Sequence, residues 1–266
     1  MIQQYGNLDV FLEASIRYSR TLETERTEID KGIDVLEYLE KNSVLSEYLN
    51  QHVEKKVEVL ATYATLLRVK NRKQKAIEKC EQALDIVRKN SNIIFDPAYT
   101  AHAHYELSVC KYQLRRRKWK YLSESEKEAK KALRIHNEYY GEGCVESAND
   151  YIVLGYISKK RKKISDAISY SQKAYEIRLG YYGEKNLYTT NALEGYALIL
   201  SYDSGQRKKA EENFLKALQD KKEFLPADSE WIGYTYQKIT QFYLRNHQWK
   251  KAILYGVEAL KRLKKR

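Results

Sequence analysis

Five alanines, Ala83, Ala132, Ala174, Ala217 and Ala259, are separated by 49, 42, 43 and 42 residues, and a second small residue stands seven positions before each. The segments read KAIEKCEQALDIV from Lys75, SESEKEAKKALRI from Ser123, DAISYSQKAYEI from Asp166, KAEENFLKAL from Lys209 and KAILYGVEAL from Lys251. A period near 42 is too long for one helix and suits a pair of them. Upstream of four segments lies a run with large residues at i and i+3 and, in three of the four, at i+7, the spacing that lines one helical face. These runs are LATYATLL (60–67), YIVLGYIS (151–158), LEGYALIL (193–200) and YQKITQFY (236–243). The large face of this first helix, helix A, is expected to pack on the second, helix B, whose small residues let the two backbones approach. No pair buries its apolar face alone, so the pairs must stack. Only two prolines and eleven glycines in 266 residues fit the same answer. The expected fold class is all-α, a solenoid of antiparallel helix pairs.

Residues 55–266 resemble the tetratricopeptide repeat (TPR) family, in which a small residue in helix A is followed by Ala, an aromatic and Ala at fixed offsets in helix B. Gly155, Ala167 and Ala174 fit that signature, as do Ala197, Ala210, Phe214 and Ala217. The spacing near 42, with Tyr140-Gly141-Glu142 and Tyr182-Gly183-Glu184 between repeats, resembles the kinesin light-chain-like subclass. The resemblance implies a right-handed superhelical array of about five repeats over 55–266. Residues 1–54 are less regular. There KGIDVLEYLEKN from Lys31 can be laid on KAIEKCEQALDI, with Gly32 at the position of Ala76 and Leu39 at that of Ala83, so they read as a degenerate N-terminal repeat or cap. In the second repeat helix B is delayed by about seven residues, roughly two turns, and LRRRKWKYLSE fills the gap. That predicts a longer helix A or a longer turn.

A formal net charge of +12 exceeds what solubility asks of a chain this size. Five basic runs fall at the end of helix A or in the turn to helix B. Lys70, Arg72, Lys73 and Lys75 mark the first turn, and Arg115, Arg116, Arg117, Lys118 and Lys120 the second. Lys159, Lys160, Arg161, Lys162 and Lys163 mark the third, Arg207, Lys208 and Lys209 the fourth, and Arg245, Lys250 and Lys251 the fifth. Equivalent positions of a solenoid stack, so these turns are expected to form a basic ridge along one edge. Such a ridge would attract an acidic protein, nucleic acid or an anionic membrane surface; otherwise it is a row of solvated turns. Trp119 and Trp249 stand within or beside basic turns, where they would stack on bases or, as the family expects of an aromatic before helix B, pack in the core.

The resemblance also implies a concave groove lined by helix A positions turned away from helix B. These are Asn149 and Tyr156 in one repeat, Asn191, Glu194 and Tyr202 in the next, and Lys238, Gln241 and Arg245 in the last. Asn149 and Asn191 are equivalent, and an Asn side chain can donate to and accept from an extended peptide at once. Asn after an acidic loop also suits a helix N-cap. The Leu-Asn-Asn-Leu run of the light-chain-like subclass is missing, with Ile152-Val153 and Glu194-Gly195 in its place, so that subclass's peptide specificity does not carry over.

No catalytic constellation stands out. His52, His102, His104, His136 and His247 include no HExxH, and His102 and His104 point to different sides of a helix. There is no phosphate loop, nucleophile elbow or dinucleotide fingerprint, and Glu124 with Glu128 reads as a solvated helix pair. Cys80, Cys110 and Cys144 form no CxxC and read as reduced, buried thiols. The start lacks a secretory pattern, and no run reaches about 18 apolar residues. The chain is therefore expected to be soluble and cytoplasmic, with no catalytic residue, cofactor, metal or membrane span. The expected function is a non-catalytic scaffold or adaptor binding a protein or peptide segment of acidic character. The alternatives are nucleic-acid or other polyanion binding along the ridge, and a sensor or regulatory module of a larger signalling assembly. An exposed terminal repeat would suit a homo-oligomer.

Overall fold

Lys, Glu, Leu, Ala and Tyr with almost no proline leave the backbone little alternative to helices, and their ends fall where the turn chemistry stops them. The computed structural model describes residues 2–21, 28–114 and 118–263, with side chains over 8–21, 28–114 and 120–263. Among the described residues there are thirteen α-helices and no strand. Ten form antiparallel pairs: α4 (Val53–Val69) with α5 (Lys73–Lys89), α6 (Pro97–Gln113) with α7 (Lys118–Tyr140), α8 (Ser147–Lys160) with α9 (Ile164–Tyr182), α10 (Leu187–Leu200) with α11 (Arg207–Phe224), and α12 (Glu230–Arg245) with α13 (Trp249–Leu263). They follow α1 (Ile2–Thr21), α2 (Ile29–Lys41) and α3 (Ser43–Gln51). The chain divides into two compact units, Met1–Glu142 and Gly143–Arg266.

The small residues of helix B lie where the pairs close. Ala76, Ala83, Ala132, Ala167, Ala174, Ala210 and Ala217 have no exposed surface, and Ala252 and Ala259 little. Approach is tightest at Gly155, where an added Cβ would lie 2.6 Å from Ser171 Oγ and 3.4 Å from Ala167 O, so no larger residue fits without movement. In the second repeat a serine pair does the same work: Ser108 Oγ donates to Ser125 O and Ser125 Oγ to Ser108 O, both at 2.8 Å. A hydroxyl buried there is tolerated because each one is bonded.

Three turns from helix A to helix B share one geometry. Asn71, Lys162 and His247 adopt the left-handed region, with φ of 61°, 61° and 56°. The next amide reaches back to the helix in each case: Arg72 to Leu67 O at 2.8 Å, Lys163 to Ser158 O at 2.9 Å and Gln248 to Tyr243 O at 3.0 Å. This six-to-one bond, with its inner partner from Asn71, Lys162 or His247, is a Schellman closure built without glycine.

Of the two expectations for the second repeat, a longer helix A or a longer turn, the first is corrected. α6 has 17 residues, as α4 does, whereas α7 has 23. Ala132 is the fifteenth residue of its helix, while Ala83, Ala174, Ala217 and Ala259 are each the eleventh. The inserted residues after the turn contain no Gly or Pro, so they add one turn to the start of helix B.

In the first unit, Gly32 of α2 is buried and its carbonyl accepts from Ser19 Oγ of α1 at 3.4 Å. One core cluster joins Leu12 and Ile16 of α1, Ile33, Leu36 and Leu39 of α2, Leu49 of α3, Leu66 and Leu67 of α4, and Cys80 and Cys110. In the second unit Phe214, Ile239, Phe242 and Tyr243 centre another, with the Phe214 and Phe242 rings 5.7 Å apart. Phe214 is fully buried, so truncating it to Ala would cost about 3–5 kcal/mol. Cys80 and Cys110 are buried thiols as expected, and burial pushes both upward in pKa; Cys144 is only half-buried.

Candidate functional site

The helix A elements of the second unit, α8, α10 and α12, lie side by side, and long polar side chains join them. Glu194 of α10 is 2 % exposed, so it belongs to the interior and not to a groove lining. Its Oε2 accepts from Lys221 of α11 at 3.0 Å and also meets Lys238 of α12 at 3.0 Å. Lys221 is itself fully buried and donates to Thr235 Oγ1 at 2.9 Å, and Thr235 donates on to Trp231 O at 3.0 Å. Glu194 Oε1 accepts no hydrogen bond from any described residue. Burial raises the Glu194 carboxyl, but Lys238 and Lys221 more than offset it and hold the group below its ordinary value. Burial lowers the Lys221 ammonium, against the pull of Glu194. One carboxylate thus serves two ammonium groups, and the surplus positive charge sits at Lys238, whose side chain is 34 % exposed.

Two further features adjoin this trio. Tyr156 of α8 is half-buried; its hydroxyl lies 3.4 Å from where a Cβ on Gly195 would stand, and burial pushes its pKa up. At the ends of the same helices, the exposed ring of Tyr202 has Arg245 Cζ 4.4 Å and Lys159 Nζ 4.9 Å from its centroid. Two cations on one ring are held by its quadrupole but repel each other. Arg245 also donates to Ser201 Oγ at 3.0 Å and to the carbonyl of exposed Gln241 at 3.3 Å.

Asn149 and Asn191 lie inside α8 and α10, so the capping reading fails for both. The cap of α10 is Asn186, whose side chain accepts from the Tyr188 amide at 2.8 Å. Asn149 is exposed and its Oδ1 accepts from Arg178 at 2.6 Å; Asn191 is half-buried. Arg178 also donates to Tyr188 O at 2.9 Å, tying the α9–α10 connection to α8. Arg178 and Lys221 were not expected. Each stands four residues after a signature alanine, Ala174 and Ala217, and i+4 places both on the face that turns inward.

Of the expected ridge, Lys160, Lys162, Lys163, Arg207, Lys208 and Lys250 are exposed, and Arg161 is half-buried like Lys159. Arg115, Arg116 and Arg117 lie outside the described residues, as do the side chains of Lys118 and Trp119. Trp249 is 58 % exposed with an edge contact to His247, so it does not pack in the core.

The first unit is polar in a different way. Arg68 of α4 binds Glu106 of α6 through Nε and Nη2, one nitrogen to each carboxylate oxygen, and Arg20 pairs with Glu58 at 2.9 Å. His102 meets Thr65 Oγ1 at 2.8 Å while His104 meets Glu128 at 2.6 Å, so the two imidazoles do face opposite sides. Glu124 and Glu128 are not the solvated pair expected, since they reach α6 at Lys111 and His104. No group of three His, Cys, Asp or Glu among the described residues is arranged to hold a metal, and no described helix is long and apolar enough to cross a membrane.

No protein-family model matches the sequence, and no curated protein matches it. Solved structures do. BtubC (BKLC) from P. vanneervenii is 17 % identical, with 94 % of this chain and 90 % of that one covered at a TM-score of 0.63. The nearly identical TPR-like repeats of a kinesin light chain-type protein from Podospora anserina are 13 % identical, with coverage of 79 % and 96 % and a TM-score of 0.61. The Rap conjugation gene regulator of plasmid pLS20, in complex with the Phr* peptide, is 15 % identical, with coverage of 96 % and 75 % and a TM-score of 0.59. The chain has the TPR-like helical repeat fold.

Proposed function

We propose that this protein is a non-catalytic interaction module whose second unit binds an acidic peptide or protein segment on the α8, α10 and α12 face. The observation that carries it is the charge imbalance at Glu194, Lys221 and Lys238. A buried charge is costly unless paired, and a ligand carboxylate beside Lys238 would complete a two-to-two arrangement. The Lys159, Tyr202 and Arg245 stack supports the same chemistry, because an anion between the two cations relieves their repulsion while the tyrosine ring supplies apolar contact. The regulator of plasmid pLS20, which shares this fold, has a peptide partner. Fluorescence anisotropy with labelled acidic peptides tests the reading. Lys238→Met should weaken binding at least about tenfold, and equal affinity for charge-neutral versions of the same peptides would defeat it.

The exposed Trp249 beside Lys250 favours a second reading, polyanion binding on the turn ridge. Single-stranded nucleic acid would then lose orders of magnitude in affinity between about 50 and 200 mM salt, and Trp249→Ala would weaken it. Acidic peptide on the helix A face should respond to salt far less.

A further inference from the structure

The two ends of the helix series expose apolar faces that differ in charge. On α13, Ala252 and Ala259 are buried, while Trp249, Ile253, Val257 and Leu260 form a stripe at i, i+4, i+8 and i+11 with 46–68 % of their surface exposed. Leu254 beside them is 65 % exposed. By contrast α5, also a helix B, exposes none of its large apolar side chains. At the other end α1 and α2 enclose a shallow apolar groove lined by Phe11, Ala14, Tyr18, Val35 and Tyr38 together with exposed Asp34. Among the described side chains, residues 8–41 carry seven acidic and four basic groups, and residues 249–263 carry four basic and one acidic.

We infer that these two faces bind each other between copies of this chain, head to tail. Helix pairs in this architecture are stable because the next helix A covers the preceding pair. α1 stands as helix A to α2, with Ser19 against Gly32 where Ser108 meets Ser125 in a later pair. A second copy therefore brings a helix A to the exposed stripe of α13, carried on an acidic surface that matches a basic one. Head-to-head contact would oppose acid to acid and tail-to-tail contact base to base, which costs rather than gains. The contact is heterologous, so association proceeds as a series rather than stopping at an isologous dimer.

Sedimentation of the full chain over a concentration series tests this with one charge-introducing change at each end, Phe11→Lys and Ile253→Glu. The wild type should rise in average mass with concentration, less so at about 500 mM than at about 50 mM salt. Each variant alone should stay at monomer mass, and an equimolar mixture should give twice that mass and no more, because only one head and one tail remain competent. A wild type that stays monomeric throughout overturns the inference, as does a variant that still dimerises alone or a mixture that does not. Both side chains are exposed, so the melting curve should hold; if either variant unfolds, Val10→Lys and Leu254→Glu, at positions 70 % and 65 % exposed, make the same test.

Discussion

The two units pair their buried arginines and lysines differently. In the first, Arg68 has Glu106, Arg20 has Glu58, and Lys111 has Glu81 and Glu124, so each base has at least one acid to itself. In the second, Glu194 is divided between Lys221 and Lys238. Balanced pairs hold helices together and ask for nothing else. An unbalanced one is the kind of feature a ligand completes, which is why the second unit, and not the first, carries the proposed site.

Removing the acid from each side should separate the two cases. Glu194→Leu strands Lys221, whose side chain is 1 % exposed, and should cost about 3–5 kcal/mol in urea unfolding. Adding Lys221→Met should return most of that, since a buried pair replaced whole is close to neutral. Glu106→Leu strands Arg68, which at 19 % exposed keeps some water, and about 1.5–3 kcal/mol is expected. Equal losses in the two would erase the contrast. A pH titration sharpens it further. The Glu194 carboxyl titrates lower in the folded state than its ordinary 4.5, so its contribution is complete above that pH and is lost as pH falls through the native value. Glu194→Gln should flatten that acid limb.

Lys238→Met should behave unlike either acid variant. Its side chain is partly solvated, so stability should stay within about 1 kcal/mol, while acidic-peptide affinity drops at least about tenfold. The smallest effects are at the turns. Lys162→Gly in the second unit should raise stability by about 1 kcal/mol, because a left-handed backbone is strained for Lys and free for Gly. Asn71→Gly in the first should gain only a few tenths, since Asn adopts that conformation readily. Thermal melts rank the two.

The helix pairs were legible because small residues at fixed spacing have one use, letting backbones meet. The insertion in the second repeat was legible in length but not in place, since a sequence without Gly or Pro marks no boundary between a turn and a lengthened helix. The site was legible by position and not by state. Tyr156, Lys238 and Arg245 can be assigned to helix A from the repeat spacing, yet nothing in the order of residues shows that Glu194 is covered and divided between two lysines. Lys221 lies 27 positions away, and its inward turn becomes visible only when counted from Ala217. Asn186 caps α10 from the connection before it, five residues ahead of Asn191, where the repeat spacing gives no sign of the helix start.

The run from Lys159 to Lys163 offers trypsin five consecutive cleavage positions, and in an extended strand it would be cut first. Here two of its residues end α8, Lys162 closes the turn with a left-handed backbone, and the amides of Lys162 and Lys163 are both bonded to the preceding helix. A protease must draw such a segment out of its helix pair and into an extended cleft, so the rate of cutting tracks how often this helix pair separates. The most basic stretch of the chain should therefore resist limited digestion in the folded protein, and the band released by cleavage there should report the opening of α8 from α9.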